Sequence, residues 1–545
     1  MPLATRWSED IAQNEQDNKT RIPGGEGTNP VSTFDPPTVM LPGGPVTITE
    51  CARDLFKIIA PRHQIFARGK VVVSLTRATT GDFVLEPLKP STARSTFEQY
   101  ARFLVHRSGA NGEAVLKRSV MPEETARALL DSEIASDLLP QIKGLTNCPI
   151  IFESEGILKV SGRGYSQETK MLIQRGEHPP SVPLDEAVNG LKALLKDFAF
   201  QTVGDNSRAM AAFIAPALKM GGLLQGFVPV DVAEADQSQS GKTYRQKVLG
   251  AIYGERPAIV SLKKNGVGST DESFQERLVN GRPFIQFDNF RGKLDSPILE
   301  SFLTAEYSFP CRIPYCREIE VDPSRFFLLM TSNGVETTRD LANRSSIVRI
   351  FKRPGAAFED TLGIVQKNQA YYLGCVFSII RDWHRHGSRR TSDTRHDFRH
   401  WAQTLDWIVQ HICGLAPLTD GHQSAQERVS NPVLTFLRLV AIEAEKTDRL
   451  DENFSASELL ELAETGGIEV PGLKGEENDE KARKILGIKL GPLFKSAERV
   501  QIDTFEVSRQ IVRSQRKDGQ GSFDSKAYAF SKVRPQAPQL PQQVE

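Results

Sequence analysis

The chain changes its hydrophobic period between Val228 and Gly254, and that change constrains the fold more than any other feature. Val228, Val230 and Val232 alternate as strand residues do. Tyr244, Val248 and Ile252 recur at helical spacing, and Gly254 closes the run. Between the two stretches stands Asp236-Gln237-Ser238-Gln239-Ser240-Gly241-Lys242-Thr243. Strand, short loop and helix, joined through Gly-Lys-Thr, are the context a phosphate-binding loop requires. Backbone N–H groups of such a loop wrap phosphate oxygens, and the positive end of the following helix points at them. Lys242 is placed to reach the terminal phosphates, and the Thr243 hydroxyl to join a Mg²⁺ shell. Ser240, Gly241, Lys242, Thr243 and Tyr244 form the expected nucleotide-binding set, with ATP and Mg²⁺ as cofactors. Asp236 stands where the full pattern has its first glycine. That glycine eases a turn and contributes no ligand.

Two later segments extend the pattern. Pro283-Phe-Ile-Gln-Phe-Asp-Asn289 is an apolar run ending in an acid. As a buried strand it would deliver Asp288 to its C-terminal edge, to hold the Mg²⁺ shell beside Thr243. Phe326 to Asn333 is a second apolar run, ending in an amide that could orient water or touch the γ-phosphate. Either run alone reads as a core strand with a polar end; loop, acid and amide in that order favour the nucleotide reading. Arg344 precedes a final apolar strand, where it could reach a neighbouring subunit's nucleotide as a finger or simply pair with Asp340.

From about residue 45 to 535 the chain resembles the AAA+ ATPases related to superfamily 3 helicases, carried by phages, plasmids and other bacterial mobile elements. The likeness rests on Gly241-Lys242-Thr243, Phe287-Asp288-Asn289, Leu294-Asp295-Ser296, Thr331-Ser332-Asn333 and Asp340-Leu341-Ala342-Asn343-Arg344. Pro149-Ile150-Ile151, Gly162-Arg163-Gly164-Tyr165 and Asp406-Trp407-Ile408-Val409 agree with it. The resemblance implies a homo-oligomeric ring, usually a hexamer, that hydrolyses ATP between subunits and moves on single-stranded or forked DNA. Lys242, Asp288, Asn289, Asn333 and Arg344 would then be the catalytic set. Asn289 stands where many AAA+ proteins carry a catalytic glutamate; asparagine can hold a water but cannot take its proton. Glu276 and Glu300, on predicted neighbouring helices, are the alternatives for the base.

The 545 residues suffice for several domains of ~100–200 residues each. With 68 basic and 68 acidic residues the chain is not a general DNA-coating protein, whereas a ring touching DNA through its channel needs only local positive charge. The scattered cysteines, including Cys311 and Cys316, lack the second pair of a zinc site. The polar N-terminus is no signal peptide, and the apolar stretch 209–224 is interrupted by Pro216 and Lys219. A soluble cytoplasmic protein of a prokaryotic cell, without membrane contact, is expected.

The fold class expected is multidomain α/β. Residues 1–44 and 535–545 read as disordered tails. Residues 45–195 read as an α/β collar or assembly domain, with a strand–turn–strand at Gly69-Lys70, helices near 92–105 and 122–139, and a hairpin joining 158–160 to 162–165. Residues 196–355 are the AAA+ phosphate-loop core. Within it, 305–321 suggest a hairpin whose Arg312, Tyr315 and Arg317 would grip DNA through charge and stacking. Lys263 and Lys264 form a second DNA-contact candidate. Residues 356–447 read as helical; His396 and His400 have metal-ligand spacing, but the surrounding arginines oppose a cation. Residues 448–534 read as a winged helix, opened by a capping box at Ser455 and Glu458 and closed by two strands joined at Lys517-Asp518-Gly519. The reading is an ATP-driven DNA translocase acting in replication, a helicase. The alternatives are a nucleotide-gated assembly or origin-binding protein with weak hydrolysis, and an antiphage defence ATPase on the same core.

Overall fold

The structure, a computed structural model, describes residues 36–108, 114–235, 240–263, 268–290, 293–294, 296–312, 318–332, 336–351, 360–468, 470–471, 473, 479–495, 498–502, 504–515 and 522–533. Asp236, Lys264, Tyr315, Arg317, Asn333, the turn at 517–519 and most of both tails lie outside the described residues.

Five parallel strands form the centre: β1 (Val230–Glu234), β2 (Ala258–Ile259), β3 (Phe284–Phe290), β4 (Phe327–Ser332) and β5 (Ser345–Phe351). Their order across the sheet is β5-β1-β4-β3-β2, and a short strand, Ala199–Phe200, pairs antiparallel outside β5. Strands covered on both faces should read as continuous apolar runs. Phe284-Ile285-Gln286-Phe287 and Phe327-Leu328-Leu329-Met330 do, and every one of these residues is buried.

Helices cover the sheet: α1 (Val203–Met220), α2 (Lys242–Ile252), α3 (Thr270–Asn280), α4 (Pro297–Leu303) and α5 (Arg339–Asn343). A capping box formed by Thr202 and Asp205 opens α1. Its Met210, Phe213, Ile214, Ala217 and Leu218 sit in the central core, which explains the apolar stretch at 209–224. Among the described residues no helix is long and apolar enough to cross a membrane.

Ahead of the sheet, strands Ile65–Arg68 and Val71–Arg77 turn through Gly69, where φ is +59°. Three local expectations change here. The helix near 92–105 covers only Pro90–Glu98; Arg102–Ser108 is a strand, recruited by Thr38–Met40 and Ala114–Arg118 on its two sides. Such distant pairing overrides local helical spacing. The helix near 122–139 splits into Glu123–Leu130 and Glu133–Leu138, because the Ser132 hydroxyl accepts from Ile134 N at 3.2 Å and starts a new helix. Ile157–Ser161 pairs back onto Ile150–Ser154 through Glu155-Gly156, both at positive φ, while Gly164–Ser166 pairs with Met171–Ile173.

This N-terminal part is bolted to the core. Arg68 is only 2% exposed, and its Nη1 donates to Val279 O at 2.6 Å and its Nη2 to Leu278 O at 3.2 Å, at the C-terminal end of α3. Lys143 pairs with Asp322 at 2.7 Å. Behind the core lie helices Thr361–Lys367, Gln369–Arg385, Arg399–Trp407 and His422–Val429. The C-terminal part has its own core: helices Pro432–Lys446, Ala456–Thr465 and Asp479–Leu490 cover a sheet dominated by Phe505–Gln515 paired with Ser522–Lys532. The Ser455–Glu458 capping box opens its second helix.

Candidate active site

Parallel strands all end at one edge, so the C-terminal ends of β1, β3 and β4 lie side by side. Gly241 sits at the N-cap of α2 with φ +93°, a conformation glycine reaches without strain, and no side chain caps the helix. The first-turn N–H groups of α2 therefore have no capping side chain. Ser240 Oγ is buried beside them with no hydrogen-bond partner among the described residues. Lys242 opens the helix and is 8% exposed, deeper than a surface loop would place it.

Thr243 Oγ1 donates to Asp288 Oδ1 at 3.2 Å, so the loop hydroxyl and the carboxylate of β3 meet. Both groups offer oxygen, the donor type a hard divalent cation takes, and they fit Mg²⁺. Asp288 and Asn289 lie in an irregularity of the β3–β4 ladder between Phe287 and Phe290. Asn289 has φ +54°, a left-handed conformation that asparagine tolerates better than most residues. Its N–H donates to Thr331 Oγ1 at 2.6 Å, and Thr331 Oγ1 donates onward to Asp288 Oδ1 at 2.6 Å. Thr331 was not among the expected site residues; its signal is a hydroxyl at the end of an otherwise apolar strand.

Under this edge lies a polar layer that the sequence reading missed. Gln246 Nε2, on α2, donates to Asp231 O at 3.0 Å, Asp231 Oδ2 at 3.1 Å and Met330 O at 3.0 Å. Gln286 Nε2 donates to Gln246 Oε1 at 3.0 Å, and Arg245 Nη2 pairs with Asp231 Oδ2 at 2.6 Å. One glutamine thus ties α2 to β1, β3 and β4. Arg245 is fully buried. A polar residue at one place in a buried run, such as Asp231 or Gln286, was the available signal. The Tyr244 hydroxyl accepts from Leu362 N at 2.8 Å, fastening α2 to the helix Thr361–Lys367.

Arg344 lies at the opposite edge. Its carbonyl accepts from Val230 N at 3.1 Å, and Ser345 aligns with Val230 at the start of β1. It is therefore a strand's length, roughly 15 Å at about 3.3 Å per residue, from the loop of its own chain. The guanidinium bonds Glu300 O at 3.2 Å and Asp340 at 3.6 Å, and stays 22% exposed. Glu300 accepts from Thr338, and Glu276 is exposed beside Arg277. Two histidines brace this edge. His396 Nε2 lies 3.3 Å from Ser345 O, and its Nδ1 accepts from Phe398 N at 3.0 Å. His422 Nε2 accepts from Ile347 N at 3.2 Å and stacks on His396. Burial pushes His396 down to about 4 and His422 well below the usual imidazole range, with Arg208 adding to the effect on both. His396 is committed to the backbone, which is why its spacing to His400 makes no metal pair.

Of the expected DNA contacts, Arg312 is exposed at the root of a hairpin, Phe309–Cys311 paired with Ile319–Val321. Its N–H donates to Gln275 Oε1 at 2.9 Å, and its Nε lies 3.4 Å from Glu318. Lys263 is exposed, and its carbonyl accepts from Thr270 N at 2.8 Å.

No protein-family model and no curated protein matches the chain. Among solved structures, the apo C-terminal region of NrS-1 is 11% identical with a TM-score of 0.34, covering 88% of this chain and 99% of that one. The active helicase Cch of SCCmec type IV is 12% identical with a TM-score of 0.29, covering 76% and 89%. At these values the chemistry has to be read from the chain's own residues.

Proposed function

We propose that the chain is a Mg²⁺-dependent ATPase that assembles into a ring, usually of six, and moves on single-stranded or forked DNA as a replicative helicase of a mobile element. The observation that carries the reading is the meeting of Thr243 and Asp288 beside an uncapped helix N-terminus that opens on Gly241-Lys242. On this reading residues 196–355 form the AAA+ core, 45–195 a collar, 356–447 a helical region and 448–534 a winged helix. Bound Mg²⁺ would neutralise phosphate charge next to Thr243 and Asp288. Lys242 and the first-turn N–H groups bind the phosphates, while Asn289 and Asn333 hold and orient the attacking water. Arg344, partly exposed at the edge remote from its own loop, completes a neighbour's site on this reading and not its own. Arg312, with Tyr315 and Arg317, contacts the DNA backbone and bases, and Lys263 with Lys264 adds charge nearby.

One observation favours a second reading, a nucleotide-gated assembly that turns over slowly. At 289 the side chain is an amide, which cannot take a proton. Phosphate release with and without single-stranded DNA separates the two. A translocase accelerates when DNA is added; a gate binds ATP and releases negligible phosphate under both conditions.

A further inference from the structure

We propose that Thr331 is a positioning residue that holds Asp288 and Asn289 in working geometry, so that β4 and β3, the strand carrying the carboxylate, act as one unit. The inference rests on the nucleotide-site reading above and goes beyond it, because nothing in the loop–acid–amide pattern gives residue 331 a role.

The hydrogen-bond directions are forced. A threonine hydroxyl has one proton to donate and two lone pairs. The Asn289 N–H can only donate, so Thr331 Oγ1 accepts from it at 2.6 Å. The single hydroxyl proton is then available for Asp288 Oδ1, also at 2.6 Å. Each bond has a distinct consequence. Asn289 lies in the irregular part of the ladder, where its N–H needs a partner from outside the regular strand pairing, and the threonine supplies one. That bond fixes the left-handed φ of +54° and with it the direction of the asparagine amide. The other bond, together with Thr243 at 3.2 Å, pins Oδ1 of Asp288 and so sets the rotation of the carboxylate. Thr331 is fully buried, so water cannot substitute for its hydroxyl without a rearrangement of the strand.

Valine has nearly the same shape as threonine and suits a strand, but lacks the hydroxyl; serine keeps the hydroxyl and loses a methyl. The full-length protein with Thr331→Val is compared with Thr331→Ser and the wild type. The first readout is affinity for a fluorescent ATP analogue, with Mg²⁺ and again with EDTA. Loss of a residue that orients a metal ligand costs about 10–100-fold. Thr331→Val should therefore lose about 10–100-fold of the Mg²⁺-dependent gain in affinity, with the affinity in EDTA unchanged. The second readout is hydrolysis: kcat should fall at least about 10-fold with KM for ATP within about 2-fold, and Thr331→Ser should restore both measurements. An unchanged Mg²⁺-dependent gain in the valine variant overturns the proposal. So does equal loss in the valine and serine variants, which marks a packing defect. If circular dichroism shows that the valine variant does not fold, Thr331→Ala against Thr331→Ser makes the same comparison. A wild type without any Mg²⁺-dependent nucleotide affinity would instead overturn the nucleotide-site reading itself.

Discussion

The two edges of the central sheet are built on opposite plans. At the carboxyl edge Thr243, Asp288, Thr331 and Asn289 are hydrogen-bonded to one another inside the chain, above the layer of Gln246, Asp231 and Gln286. At the amino edge Arg344 is held only loosely, by a carbonyl and a distant carboxylate, and remains partly open to solvent. The first plan suits a site that must exist before its ligand arrives. The second suits a group whose partner lies outside the chain, because a cation fully paired at home has nothing left to offer. Substitutions at the two edges should therefore fail in different ways.

The largest effect is expected at the closed edge. If Lys242 faces the terminal phosphates as proposed, Lys242→Ala removes that charge, and ATP hydrolysis should fall by orders of magnitude with the melting temperature little changed. Near wild-type turnover would remove the phosphate-loop assignment. At the open edge, Arg344→Ala should keep its ATP affinity yet lose about 10³–10⁵-fold in turnover, the range known for an arginine supplied to a phosphoryl transfer. Mixed with Lys242→Ala protein it should regain activity at hybrid interfaces, where an intact loop meets an intact arginine. No rescue, with subunit exchange verified, would place Arg344's role within its own subunit and erase the contrast.

Stability should divide by burial. Asp231→Ala leaves Arg245 buried without its carboxylate, and chemical denaturation should report a loss of about 3–5 kcal/mol. Asp340→Ala exposes an already solvated Arg344 and should cost about 0–1 kcal/mol. Equal losses would show that Arg344 depends on its carboxylate as much as the buried Arg245 does.

Acid should reach the amino edge through its histidines. His396 and His422 are neutral in the fold and bind protons more readily once unfolded. The stability they lend is complete above the ordinary imidazole value of 6.5 and is lost as pH falls toward about 4. For His396 alone the loss is on the order of 3 kcal/mol, read from denaturation midpoints across that window. His396→Asn, keeping a neutral polar side chain, should flatten the curve; an unchanged curve would exonerate the histidine.

The smallest effect is expected at the proposed DNA contacts. Alanine at Arg312, Tyr315 and Arg317 should weaken single-strand binding, leave basal hydrolysis near normal and reduce the salt slope by ~0.7 per lost phosphate contact. Unchanged affinity and slope would make the hairpin structural.

How much of this was legible depended on whether a feature repeats. β1 and α2 could be read because alternation and helical spacing extend over many residues, and the meeting of Thr243 with Asp288 was expected from the loop and the acid-ended strand. Thr331, Gln246 and Asp231 could not, since a single polar residue in a buried run has no period and its partners come from other strands. Residues 102–105 were misread for a related reason: the pairing partners of their strand lie at 38–40 and 114–118. The bend at Asn289 left no mark beyond the choice of asparagine itself. Lys264, Tyr315, Arg317 and Asn333 lie outside the described residues, and their roles stay at the level of proposal.

Arg68 also has a consequence in time. Its acceptors at the end of α3 lie up to 211 residues further along the chain. At a synthesis rate of about 5–20 residues per second, the ribosome needs roughly 10–40 s to deliver them. Until then only the Lys143 carbonyl, 75 residues on and 3.4 Å from Nη2 in the finished fold, is there to accept from it, and the guanidinium lacks its two shorter bonds. The seat of Arg68 is thus completed only once α3 has been made, whereas the larger N-terminal core, between Val39 and Leu139, draws on no residue beyond 139 and can close long before.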